Sequence, residues 1–97
     1  MSRPSKPAAD ILAAAPPLPL DKEHWRKIFK ALKLSDKQAQ IVELMLRDLS
    51  DWQIAKVIGI SESTVATHQE RIRQRTGASG RMQLAMHILG ISHQVRD

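Results

Sequence analysis

Apolar residues return at helical spacing through most of the chain beyond residue 20. After Asp21, a natural N-cap, Trp25, Ile28, Phe29 and Leu32 fall at i, i+3, i+4 and i+7, which predicts an amphipathic helix over residues 21–33. Its other stripe is basic, with Lys22, Arg26, Lys30 and Lys33 three or four residues apart. The ordinary reading of such a stripe is a solvated face; phosphate contact and partner docking are the alternatives. Ser35 caps the next predicted helix, Asp36 to Arg47. There Ala39, Ile41, Val42, Leu44, Met45 and Leu46 carry more apolar surface than one stripe can hold, so this helix is expected to be central and most buried. It is expected to end near Asp48.

The punctuation then tightens. Ser50 caps a short helix in which Ile54, Ala55 and Ile58 face inward and Lys56 points out. Gly59 supplies positive φ for a turn, Ile60 anchors that turn on the core, and Ser61 opens a longer helix over about 62–76, closed by Gly77. In that helix Val65, His68, Ile72 and Thr76 form the inward stripe. Ser63, Ala66, Thr67, Glu70, Arg73 and Gln74 face outward, with Arg71 and Arg75 at the flank. Short helix, tight turn and longer helix make a helix-turn-helix. Gly80 or Ser79 opens a last helix, Arg81 to about His93, which sets Met82, Ala85, Met86 and Leu89 on one side and Leu84, Ile88 and Ile91 on another. A terminal helix apolar on two sides has more to bury than its own core takes, which predicts self-association.

Residues 1–20 read differently. They hold all five prolines between runs of alanine, with few charges and no apolar stripe, so a disordered Pro/Ala-rich tail is expected, with at most a turn or two of helix over Ala8 to Ala15. The foldable part is then under 80 residues, one domain at most, with a core that must be aliphatic because aromatics are only 3% of the chain. The predicted class is all-α: four helices over 34–97, preceded by the extra amphipathic helix and the tail.

Composition narrows the function. Without cysteine there is no disulfide framework, thiolate zinc site or iron–sulfur cluster, and His24, His68, His87 and His93 lack the spacing of a helical metal site with a companion acid. No carboxylate pair and no phosphate loop are present, so no enzyme, cofactor, metal or small-molecule ligand is expected. No apolar run approaches the roughly 18 residues of a membrane span, so a soluble, cytoplasmic protein is expected. The net charge of +5 suits a phosphate-rich partner. Its placement is uneven: residues 21–34 hold five cations against Asp21 and Glu23, whereas 61–77 set three arginines against Glu62 and Glu70.

From Leu34 to about Leu89 the chain resembles the LuxR-type (FixJ/GerE-like) DNA-binding domain. The matching residues are Leu34-Ser35, Ile41, Val42 and Leu44, Leu49-Ser50, Ile54-Ala55, Gly59-Ile60-Ser61, Thr64-Val65, Thr67-His68, Ile72, Gly77 and Arg81. The resemblance implies a four-helix module whose recognition helix enters the major groove of double-stranded DNA, whose last helix dimerises through Met82, Ala85, Met86 and Leu89, and whose two copies read a roughly palindromic site. It places Ala66, Thr67, Glu70 and the neighbouring Gln69 toward the bases. Phosphate contacts fall to Lys56, Ser63, Thr64, Arg71 and Arg75. The chain departs from the family pattern at Gln40, where Glu is usual, Asp48 (Gly), Trp52 (often Lys) and Thr76 (Leu). A homodimeric, sequence-specific transcriptional regulator is the first reading, with RNA polymerase or another regulator as possible protein partners. The second is a protein-interaction module or modulator that keeps the fold but binds a regulator or polymerase rather than DNA, a reading that the carboxylate of Glu70 on the outward face favours.

Overall fold

Side-chain oxygens start four of the helices. In the computed structural model, which describes residues 6–18 and 20–95 with the side chains of 89 and 91–95 left aside, Asp21, Ser35, Ser50 and Ser61 each accept from the backbone N–H three residues on. Ser35 with Gln38 and Ser50 with Gln53 close reciprocal capping boxes, satisfying donors at both ends of the first turn. The elements are α1 (Lys6–Ala14), α2 (Lys22–Ala31), α3 (Asp36–Leu46), α4 (Asp51–Ile58), α5 (Glu62–Thr76) and α6 (Arg81–Val95), with no strand among the described residues.

The helix ends follow one repeated device. After α2 the amide of Leu34 reaches the carbonyl of Phe29 at 3.2 Å, after α3 Leu49 reaches Leu44 at 3.1 Å, and after α4 Ile60 reaches Ala55 at 3.1 Å. Each six-to-one bond needs a left-handed residue just before it. These are Lys33 (φ 57°), Asp48 (φ 64°) and Gly59 (φ 81°), so only the last uses the residue that takes this conformation without strain. Each motif also returns an apolar side chain to the core, with Leu34 and Leu49 buried and Ile60 half-buried.

Every helix contributes to one core that is aliphatic apart from Trp25. Ile28, Ile41, Val42, Ile54 and Val65 have no accessible surface at all, Ile72, Leu84 and Ile88 are nearly as deep, and no polar or charged residue is buried among the described side chains. α3 runs through the middle, touching α4, α5 and α6; α4 packs on α5, and α2 packs on α6. Trp25 and Ile28 make the buried side of α2, while Phe29 lies half-exposed at its edge, tilted 58° against the Trp25 ring with centroids 6.2 Å apart.

The N-terminal segment departs from expectation. Lys6–Ala14 is a helix lying on α4 rather than part of a disordered tail, with Ala8 buried and Ile11, Leu12, Ala15 and Leu18 packed against the core. The prolines are compatible with this: Pro7 sits in the first turn, where its missing N–H costs nothing, and Pro16 and Pro17 come after the helix has ended. What holds the segment is distant in sequence. The Arg47 guanidinium donates through Nε to the carbonyl of Pro16 at 2.8 Å and through Nη2 to that of Leu12 at 2.9 Å, satisfying acceptors that the end of α1 would otherwise leave open.

Candidate nucleic-acid interface

The geometry around α5 is set by α4 and the turn after it. Ile54 and Ala55 bury one side of α4, Gly59 reverses the chain, and Val65 and Ile72 bury the inner stripe of α5. The opposite side of α5 is left in solvent: Ser63, Ala66, Thr67, Glu70, Arg73 and Gln74 are all exposed. At its N-terminus the Ser61 hydroxyl accepts from the Thr64 amide at 3.1 Å and lies 3.0 Å from the Ser63 hydroxyl and 2.8 Å from that of Thr64. Three hydroxyls therefore crowd the positive end of the helix dipole, an arrangement suited to an anionic oxygen.

The outward side chains differ in what they have free. Thr67 donates its hydroxyl proton to the Ser63 carbonyl at 3.1 Å, so what it offers outward is a methyl group and an acceptor oxygen. Ala66 offers a methyl group alone. Glu70 and Arg73, three residues apart, form an ion pair with both side chains about half exposed, so the carboxylate and the guanidinium largely cancel on the outer face. Arg71 and Arg75 are exposed and make no ion pair among the described residues. On α4, the Lys56 ammonium lies 5.7 Å from the centre of the Trp52 ring, which is 52% exposed.

Gln69 departs from its expected place toward the bases. It is half-buried, and its Nε2 donates to Oδ1 of Asp51 on α4 at 2.8 Å. Arg81, at the start of α6, donates to the same Oδ1 at 3.0 Å through Nη2, and its Nη1 reaches the carbonyl of Leu49 at 2.5 Å. Asp51 thus joins α4, α5 and α6. The three side chains border an open cavity of about 450 Å³, which Ala66, Glu70 and Arg73 also line. Neither the role of Asp51 nor that of Arg47 is readable from local pattern, because their partners lie 18 to 35 residues away.

Two inward residues carry polar atoms. Thr76 donates to the Ile72 carbonyl at 2.8 Å and accepts from the Ala78 amide at 3.2 Å, so its hydroxyl is satisfied as both donor and acceptor. His68 is half-buried, and its Nδ1 has no hydrogen-bond partner. On α6, Met82 and Met86 are 75% and 65% exposed and Ala85 is half-buried, whereas Leu84 and Ile88 are buried; the Leu89 side chain lies outside the described residues. No group of three or more His, Cys, Asp or Glu side chains able to hold a metal ion occurs among the described residues. Nor is any helix there long and apolar enough to cross a membrane.

This is the architecture of a helix-turn-helix module, and residues 32–88 match the model for bacterial regulatory proteins of the luxR family. The chain belongs to that family, whose helix-turn-helix domain is that of DNA-binding transcription regulators rather than enzymes. It is similar to the spore germination protein GerE of Bacillus subtilis (strain 168), 32% identical over 56 residues that cover 58% of this chain and 76% of that protein. No solved structure matches the chain significantly.

Proposed function

We propose that the chain is a sequence-specific transcriptional regulator that acts as a homodimer in the cytoplasm, with α5 in the major groove of double-stranded DNA. The observation that carries this reading is the outer side of α5, an exposed face on a helix anchored by Val65 and Ile72 and led by the Ser61, Ser63 and Thr64 hydroxyls. Base contacts come from the Thr67 acceptor and methyl group, the Ala66 methyl group, which suits thymine, and the Glu70 carboxylate, which suits cytosine N4. Lys56, Ser63, Thr64, Arg71 and Arg75 meet the phosphates and fix the register without reading sequence. The uncovered Met82 and Met86, with Ala85 and Leu89, form the dimer contact, and a two-fold dimer places half-sites about one helical turn apart. RNA polymerase or another regulator are the protein partners such a dimer would recruit.

One observation favours a second reading, a module that binds a regulator or polymerase rather than DNA. Glu70 neutralises Arg73 on the very face offered to the groove. Titrating the chain with a random-sequence duplex at low and moderate salt decides between the two. A DNA reader shows binding that falls steeply with salt, since each neutralised phosphate adds roughly 0.9 to the slope of log K against log salt. Absence of binding even at low salt removes the DNA reading.

A further inference from the structure

We propose that Asp51 determines the sequence preference of α5 by withholding Gln69 from the bases. The inference rests on the reading of α5 as a groove-entering helix, and it concerns which residues on that helix are free to read.

A glutamine at this place is a strong candidate reader, since its side-chain amide can both donate to adenine N7 and accept from adenine N6. Gln69 stands on the flank of α5 shared by Ala66, three residues before it, and by Glu70 and Arg73 after it. Its neighbours offer less for adenine: Ala66 carries a methyl group alone, and the Glu70 carboxylate, paired with Arg73, has no donor of its own. Yet the Gln69 Nε2 donates to Asp51 at 2.8 Å, which turns the side chain toward α4. The carboxylate holds it there as a charged acceptor, the stronger kind of hydrogen-bond partner, and is itself kept in place by Arg81. The cavity of about 450 Å³ beside it gives a released side chain room to swing outward.

Asp51 is a positioning residue on this view, and its substitution removes its bonds to Gln69 and Arg81 while sparing the local cap. The cap of α4 belongs to Ser50 and Gln53, so Asp51→Ala leaves the capping box intact. Arg81 also keeps its bond to the Leu49 carbonyl, which preserves one tie between α6 and the start of α4.

The test is selection of bound duplexes from a random pool with the full chain, D51A, D51N, Q69A and the double variant D51A/Q69A, each first checked for an unchanged helical spectrum. D51A is expected to enrich adenine at one position in each half-site where the unaltered chain shows no such preference, by on the order of tenfold. D51N, whose amide oxygen still accepts from Gln69 and Arg81, is expected to select the original motif, and D51A/Q69A to lose the new adenine. Q69A alone is expected to leave the original motif as it was, which tests the idea even if D51A does not fold. An original motif that survives D51A unchanged, or one that Q69A alone erodes, overturns the proposal while leaving the DNA reading in place. Failure of the unaltered chain to enrich any motif overturns that reading and this inference with it.

Discussion

Replacing Arg47 with Ala is expected to loosen the docking of α1 while leaving the rest of the fold in place. The guanidinium makes two bonds, to the carbonyls of Pro16 and Leu12, the first solvent-exposed and the second partly buried. A hydrogen bond to a charged group contributes about 1.5 to 3 kcal/mol when well shielded. Water can take over much of the exposed one, so the net loss is about 2 kcal/mol. The apolar side of α1 keeps its contact with the core. Its nine residues, with no acidic first turn and no basic last turn, are nonetheless too few to persist in the moments when it lifts off, so a weaker hold is read directly as lost protection. Hydrogen exchange of backbone amides resolves the effect by segment. At about 1.4 kcal/mol per factor of ten, α1 protection is expected to fall by at least tenfold, and that of α3 and α5 to change much less. Arg47→Lys keeps the charge but loses the planar fork, and is expected to recover only part of the protection. Undiminished protection of α1 in Arg47→Ala would refute the reasoning, because the helix would then be held by its apolar side alone.

The other predictions concern the turns, the outer face and the last helix. Gly59→Ala meets no atom within 4 Å but forces an alanine to φ near 81°, so the whole cost is backbone strain; a loss of about 1 kcal/mol, read as a melting temperature lower by about 4 to 8 °C, is expected with no change in denaturant slope. Asp48→Gly runs the same physics in reverse at φ 64° and is expected to raise stability by about 0.5 kcal/mol after the entropy of the glycine is subtracted; a lower melting point would contradict it. Glu70→Gln frees Arg73, so affinity for random duplex should rise and its salt slope steepen by about one. Met82→Asp with Met86→Asp, at exposed positions, should leave the melt of the protomer nearly unchanged and shift sedimentation to the monomer; a dimer that persists rules out this side of α6 as the contact.

Local chemistry explains why so much of the fold was legible in the residues. Asp21, Ser35, Ser50, Ser61, Gly59 and Gly77 mark helix ends through bonds that span six residues or fewer, and the stripes of α2 to α5 announce which sides are buried. α1 was not legible for the opposite reason. Its stripe is short, its residues are mostly alanine and proline, and its stabilising partner is an arginine 31 to 35 positions away. The candidate site divides along the same line. That Thr67 and Glu70 face solvent follows from helical periodicity, and the Glu70–Arg73 pair from three-residue spacing. That Gln69 is held by Asp51, and Asp51 by Arg81, follows only once three helices have been brought together.

The two tryptophans occupy opposite surroundings, and this makes the protein its own pair of optical reporters. Trp25 is 5% exposed in the core cluster, while Trp52 is 52% exposed on α4, within reach of the Lys56 ammonium. Emission from the first is shielded from water and from aqueous quenchers until the core opens. Emission from the second is expected to be red-shifted and quenchable from the outset, and within the folded protein it responds to whatever settles on that side of α4. A single fluorescence cuvette can therefore follow unfolding and surface occupation as separate signals, with Trp25→Phe and Trp52→Phe assigning each.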